Sequence, residues 1–145
     1  MAGSQYTVVS AGELVITGAG DDTIRNDYDS VTIDAGDGNN YIQNYGSYVT
    51  IETGDGDDYI LNGNFFPFSP TSFVTISTGI GSDSIYVYDS SYATVDAGDD
   101  NDYIDVYNGS NLFINAGAGN DTIHHYLGSG TSILMGSGFA KYRSQ

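Results

Sequence analysis

The chain has 145 residues, enough for a single domain with a modest core. Three basic residues stand against 19 acidic ones, and the formal charge of −16 predicts that the chain binds neither nucleic acid nor an anionic membrane surface. Cysteine is absent, which excludes disulfides and thiolate metal sites, and no apolar run approaches the roughly 18 residues of a membrane-spanning helix.

The acidic residues are almost all aspartate. Seventeen of the 19 are Asp, and only Glu13 and Glu52 are Glu. A solvated acidic surface gives no reason for this preference, whereas Asp suits turns and sites where a short carboxylate reaches a hard cation. The composition therefore indicates divalent cations.

Segment 1–13 precedes the first motif, and we expect it to form an N-terminal cap. A glycine-aspartate motif then recurs six times in register, followed by a worn seventh copy. The copies are TGAGDDTI (17–24), AGDGNNYI (35–42), TGDGDDYI (53–60), TGIGSDSI (78–85), AGDDNDYI (97–104), AGAGNDTI (116–123) and the worn MGSGFAKY (135–142). Equivalent positions are 18 or 19 residues apart, except for one step of 25, and this regularity predicts a repeat fold.

A short triplet in which apolar and outward-facing residues alternate follows each of the first five motif copies, as in Val31-Thr32-Ile33. Its period of two indicates a strand whose outer residues share one face. Each repeat then has two short strands and two turns, which is too little to bury its own apolar face, so the repeats must stack. The prediction is an all-β parallel β-solenoid of about seven coils of 18–19 residues, without helices.

The step of 25 residues places an insertion at 62–73, NGNFFPFSPTSF, which holds both prolines. We expect it to decorate a turn, either as an apolar contact site for a partner or folded back over the solenoid. Residues 139–145, which follow the last motif, are predicted to form a C-terminal tail or cap.

The motif resembles the calcium-binding nonapeptide of the repeats-in-toxin (RTX) family, G-G-x-G-x-D-x-U-x, in which U is a large apolar residue. The match covers residues 14–138 and includes the second and fourth glycines, the sixth-position Asp and the eighth-position Ile. It implies a right-handed β-roll with calcium held between stacked loops. Only one turn per coil carries the motif, so calcium is expected along one edge. Six motif loops in a row leave five gaps, hence about five calcium ions, with a partial sixth against the seventh loop.

The resemblance also implies the ligands. The sixth-position side chains are Asp22, Asn40, Asp58, Asp83, Asp102 and Asp121. Backbone carbonyls would come from six turns, centred on Gly18 and Gly20, Gly36 and Gly38, Gly54 and Gly56, Gly79 and Gly81, Gly98 and Asp100, and Gly117 and Gly119. Carbonyls can converge on one ion only if these turns take left-handed conformations, which glycine adopts without penalty. Asn40 offers a neutral oxygen, which predicts weaker sites beside it, and Asp100 is expected to accept the left-handed conformation of the glycine it replaces.

Two other columns recur at the opposite turn. A tyrosine column, which predicts either a stacked aromatic ladder or a sugar-stacking platform, comprises Tyr45, Tyr88, Tyr107 and Tyr126. An asparagine column, which predicts an amide ladder, comprises Asn26, Asn44 and Asn62. Asp105 follows the apolar Ile104 and is expected to point to solvent. His124 and His125 are adjacent in a strand, so they are expected to face opposite ways and not to chelate one ion together.

The preferred function is a secreted structural or binding module whose folding depends on calcium and whose further partner is a carbohydrate or a protein. Residues 1–10 lack both a basic region and an apolar stretch, so we expect secretion of a bacterial type that uses no cleavable signal peptide. The alternative is a small calcium-dependent ester or phosphoester hydrolase, with an under-coordinated ion at one end of the row. No catalytic motif supports the alternative, so a non-enzyme is favoured.

Overall fold

A computed structural model of the chain describes residues 3–64 and 70–144. These residues form β-strands and turns, without any helix. The strands are β1 (Gln5–Thr7), β2 (Leu14–Ile16), β3 (Thr23–Asn26), β4 (Thr32–Gly36), β5 (Tyr41–Asn44), β6 (Thr50–Thr53), β7 (Tyr59–Asn62), β8 (Thr71–Ser72), β9 (Thr75–Ser77), β10 (Ser84–Tyr88), β11 (Ser90–Ser91), β12 (Thr94–Asp96), β13 (Tyr103–Ser110), β14 (Phe113–Asn115), β15 (Thr122–Ser129), β16 (Ser132–Leu134) and β17 (Lys141–Ser144). The described part of the chain accordingly holds no helix that could cross a membrane.

Two parallel sheets run the length of the stack. The triplet sheet has the order β2-β4-β6-β9-β12-β14-β16, one strand from each coil. The motif sheet joins β1, β3, β5, β7, β10, β13, β15 and β17, and the short strands β11 and β8 extend it beside the far end of β13. Ile33 pairs with Ile51, Ile51 with Ile76, and Ile76 with Val95, so the register advances by 18, 25 and 19 residues. The predicted parallel β-solenoid of about seven coils is confirmed.

The core lies between the two sheets. Val31 and Ile33 are buried and Thr32 between them is exposed, as the alternation predicts. The core rows of isoleucine and valine are Ile24, Ile42, Ile60, Ile85, Ile104 and Ile123 from the motif sheet and Ile33, Ile51, Ile76, Val95 and Ile114 from the triplet sheet. Burying one such side chain contributes about 1.5–3 kcal/mol, which is available only when neighbouring coils cover both sides of it.

The turn opposite the motif contains the predicted amide ladder. Asn26 donates from Nδ2 to Oδ1 of Asn44, and Asn44 donates in the same way to Asn62, both over 2.7 Å. Val87 continues this buried column in the next coil, in register with Asn62. The ladder therefore ends where an apolar residue takes over.

The insertion joins the stack at its ends. Thr71 is buried and its hydroxyl contacts the side chains of Asn62 and Ser90. Phe73 stacks between Tyr48 and Tyr92, with ring centroids 5.1 and 5.0 Å apart. Residues 65–69, the apolar centre of the segment, lie outside the described residues.

Candidate metal site

The motif glycines lie where successive coils touch. Gly36 has φ +69°, and a Cβ added to it would lie 2.5 Å from the carbonyl oxygen of Gly18. A Cβ on Gly81, where φ is +146°, would lie 2.0 Å from the carbonyl oxygen of Gly56. Both contacts are shorter than any real Cβ makes, so close stacking at this edge requires glycine. Asp100 adopts φ +83°, as predicted for the one motif with Asp at this position.

The first and sixth motif turns differ in their backbone conformation. Gly20 has φ +135°, as the expected left-handed turn requires, and its N–H donates to the carbonyl oxygen of Asp37 over 2.8 Å. The φ of Gly54 in the third turn lies outside the left-handed region, so the expectation is wrong at that residue. Gly119 makes the equivalent bond to Ser137 over 2.8 Å, but its φ also lies outside that region, so the expectation is wrong at this residue too. Glycine is required there by close approach instead, because a Cβ on Gly119 would lie 1.8 Å from the carbonyl oxygen of Asp100. The metal-ligand role of both carbonyls stays a prediction.

The sixth-position side chains form one buried row at the same edge, which we call the aspartate row. From Asn40 onward, the side-chain Oδ1 accepts a hydrogen bond from the sixth-position backbone N–H of the preceding coil, whereas Oδ1 of Asp22 accepts from the N–H of Ser4. The donor–acceptor distances are 3.0 Å to Asn40, 2.8 Å to Asp58, 2.8 Å to Asp83, 2.9 Å to Asp102 and 3.1 Å to Asp121. One oxygen of each side chain is therefore fixed by the coil stacking.

The second carboxylate oxygen of the aspartate row has no partner. Within the row, the buried Oδ2 atoms without a hydrogen bond belong to Asp22, Asp58, Asp83, Asp102 and Asp121. Burial raises the pKa of Asp58, and it raises the pKa of Asp83 to about 6 and that of Asp102 to about 8. The nearby hydroxyls of Thr53 and Thr78 lower the pKa of Asp58 and of Asp83 but do not outweigh burial. A buried charge without a partner is costly, so these oxygens call for a positive or donating group.

Asn40 is the exception in the row and shows what such a group does. Its Nδ2 donates to the carbonyl oxygens of Gly36 and Gly38, over 3.0 and 2.9 Å. The amide thus supplies donors to the turn carbonyls of its own coil while its Oδ1 keeps the bond to the preceding coil. Asn40 is fully satisfied, whereas its five aspartate equivalents are not.

A second, exposed ladder runs beside the row at the fifth motif position. Asp21 accepts from the backbone N–H of Asn39, and Asn39 accepts from that of Asp57, over 2.8 and 2.9 Å. The RTX-like pattern leaves this position open, so it predicts no role for these residues. Asp or Asn recurs at this position in the sequence, and this recurrence could have predicted the ladder, because either side chain can accept a hydrogen bond from a backbone N–H.

All the predicted ligands are brought to one edge, but they do not converge as a group of carboxylates. Among residues 3–64 and 70–144, no three His, Cys, Asp or Glu side chains form a cluster that could hold a metal ion. A cation on the aspartate row would therefore take one carboxylate per coil and complete its shell with backbone carbonyls. Hard oxygen donors of this kind suit calcium.

The other residues considered in the sequence, His124, His125 and Asp105, lie on the outer face of the motif sheet or beside it. His124 and His125 have separate partners, since His124 contacts the Tyr103 hydroxyl and His125 contacts Thr131. Asp105 lies on the outer face of the motif sheet, as the alternation predicts, but it is only half-exposed, because its Oδ1 is buried and has no hydrogen-bond partner. Tyr88, Tyr107 and Tyr126 lie around it.

Comparison of the chain with protein-family models, with curated proteins and with solved structures finds no match. The aspartate row itself presents five buried carboxylate oxygens without a hydrogen-bond partner, and one amide, Asn40, whose donors are both used.

Proposed function

We propose that the chain is a calcium-binding β-solenoid module in which calcium ions on the aspartate row complete the fold. The observation that carries this proposal is the contrast between Asn40 and its equivalents. The Asn40 amide donates to two turn carbonyls, whereas each equivalent aspartate presents an unpartnered oxygen. A cation in that position would satisfy the carboxylate and the carbonyls together.

The residues of the row fit calcium in their chemistry. Oδ1 makes the same bond to the preceding coil in Asn40 and in Asp58, so we infer that Oδ2 of Asp58 takes the position of the Asn40 Nδ2. The carbonyls of Gly54 and Gly56 then correspond to those that Asn40 reaches. Carboxylate and carbonyl oxygens are the ligands that calcium prefers.

The overall charge favours the same conclusion. The formal charge of −16 is concentrated in coils stacked about 4.8 Å apart, so acidic turns repel each other when the chain is compact. Five divalent ions, one for each aspartate of the row, would supply ten positive charges. Calcium thereby stabilises the compact state relative to the unfolded chain.

We place this module outside the cell, as a structural or binding domain. Extracellular calcium modules bind at about 10⁻⁴–10⁻³ M, which suits an environment rich in calcium. No arrangement of side chains among the described residues favours a hydrolase, so the binding module is the single function proposed.

Counting bound ions tests the proposal. The wild-type chain is expected to bind up to five calcium ions, and Asn40→Asp is expected to add one, because the substitution replaces the NH₂ donor with an oxygen that needs a cation. The measurement is native mass spectrometry with a calcium titration. In chelator, Asn40→Asp should be less stable than the wild type.

Asn39→Asp is the matched control. It adds the same charge one residue away, in the exposed ladder where Asp21 and Asp57 already accept equivalent bonds. Its ion count should equal that of the wild type. Equal gains for both variants, or no calcium bound to the wild type at millimolar concentration, would contradict the proposal.

A further inference from the structure

A second feature of the molecule is a concave pocket on the outer face of the motif sheet. It has a volume of about 270 Å³, and the described residues that line it are Tyr88, Asp105, Tyr107 and Tyr126. Tyr88, Tyr107 and Tyr126 are in register on the parallel strands β10, β13 and β15, so coil stacking brings the three phenols together. We call this site the tyrosine pocket.

Asp105 is the only carboxylate among these residues, and few donor groups balance its negative charge. Its Oδ1 is buried without a hydrogen-bond partner, and burial raises its pKa. Burial, together with the nearby Asp105 carboxylate, also raises the pKa of Tyr88 to about 12. His124 lies next to Asp105 in register and its charge partly offsets the rise in the pKa of Asp105, but it does not donate to Oδ1.

We propose that the tyrosine pocket binds an alkylammonium cation, with the ammonium group on Asp105 and the apolar body against the tyrosine rings. An ammonium in the pocket neutralises the Asp105 carboxylate that lines it, and the tyrosine rings attract the cation electrostatically. The high negative charge of the chain raises the local concentration of cations as well.

A neutral sugar is a poorer occupant of the same pocket. A sugar ring carries several hydroxyl groups, and each needs a partner when it leaves water. The lining offers one carboxylate and three phenols, whose rings provide mainly apolar walls. One charged donor on an apolar body matches that lining better.

The tyrosine pocket is separate from the aspartate row. The row is buried at the glycine turns, whereas the pocket residues lie on the outer face and at the far end of the motif strands. The proposal therefore does not depend on calcium binding. It adds a second ligand class to the same solenoid.

The test is a titration of calcium-saturated protein with n-butylammonium, followed by NMR of the backbone amides and tyrosine rings. We expect saturable shifts at Tyr88, Tyr107 and Tyr126. Asp105→Asn keeps the size of the side chain and removes its charge, so it should weaken binding by about tenfold or more. This variant should melt at or above the wild-type temperature, because it no longer buries an unpartnered charge.

Asp29→Asn is the matched control, since Asp29 is exposed and accepts a bond from the Ser47 N–H that Asn can also accept. It should bind n-butylammonium as the wild type does. Equal affinity for Asp105→Asn, equal binding of the uncharged analogue 1-butanol, or no saturation would each overturn the proposal. Binding of methyl glucoside that is lost in Asp105→Asn, without ammonium binding, would identify a sugar site instead.

Discussion

Replacing the five aspartates of the aspartate row by asparagine is expected to give a solenoid that folds without calcium. The five changes are Asp22→Asn, Asp58→Asn, Asp83→Asn, Asp102→Asn and Asp121→Asn. Each new amide can keep its Oδ1 bond to the preceding coil and donate from Nδ2 to the turn carbonyls, as Asn40 does. Each also removes a buried carboxylate that otherwise needs a cation.

The gain in stability without calcium should be large, because five equivalent sites change together. A hydrogen bond to a buried carbonyl contributes about 0.5–1.5 kcal/mol, and relief of an unpartnered buried charge adds to this. Circular dichroism with excess chelator is the measurement. The wild-type chain should lose most of its β spectrum there, whereas the five-asparagine variant should keep it and melt cooperatively.

A control variant separates hydrogen bonding from the general loss of charge. Five exposed aspartates are changed to asparagine instead, namely Asp21, Asp27, Asp29, Asp57 and Asp96. This variant loses the same five charges and should still require calcium. If both variants fold equally well in chelator, charge repulsion alone explains the metal requirement and the ligand assignment is wrong.

Acid is expected to stabilise the metal-free chain and to destabilise the calcium-loaded one. Burial raises the pKa of Asp83 to about 6 and that of Asp102 to about 8, above the unfolded value of about 3.9. Between the unfolded pKa and the folded pKa values, the folded chain binds more protons than the unfolded chain, so the stability of the folded chain falls as pH rises. A proton on Oδ2 can donate to a turn carbonyl, as the Asn40 amide does.

Thermal melts between pH 8 and pH 4 would measure this, once in chelator and once in saturating calcium. In chelator the stabilising effect of protonation is complete below about pH 4 and is lost as pH rises through about 6 to 8. In calcium the slope should have the opposite sign, because the ligands must be deprotonated to bind metal. The five-asparagine variant should lose the acid stabilisation, and its persistence there would assign the effect to other groups.

The sequence by itself determined the architecture of this protein. Motif copies at steps of 18 and 19 residues, with an inward Ile two places after the sixth position, leave stacking as the only way to bury those side chains. The amide ladder of Asn26 and Asn44 followed from the same register. The left-handed Asp100 also followed, because it occupies a position that is glycine in the other copies.

Only the tertiary structure decided which polar atoms obtain partners. The sequence pattern predicts that Asn40 is a weaker calcium ligand than Asp58. In the stacked coils, however, the Asn40 amide has hydrogen-bond partners, whereas the carboxylates beside it each have an unpartnered oxygen. Strand alternation predicts a solvent-facing Asp105, although one of its oxygens is buried and tyrosine side chains lie around it. Hydrogen bonding and burial here depend on atoms 18 to 25 residues away along the chain, which alternation within one strand does not specify.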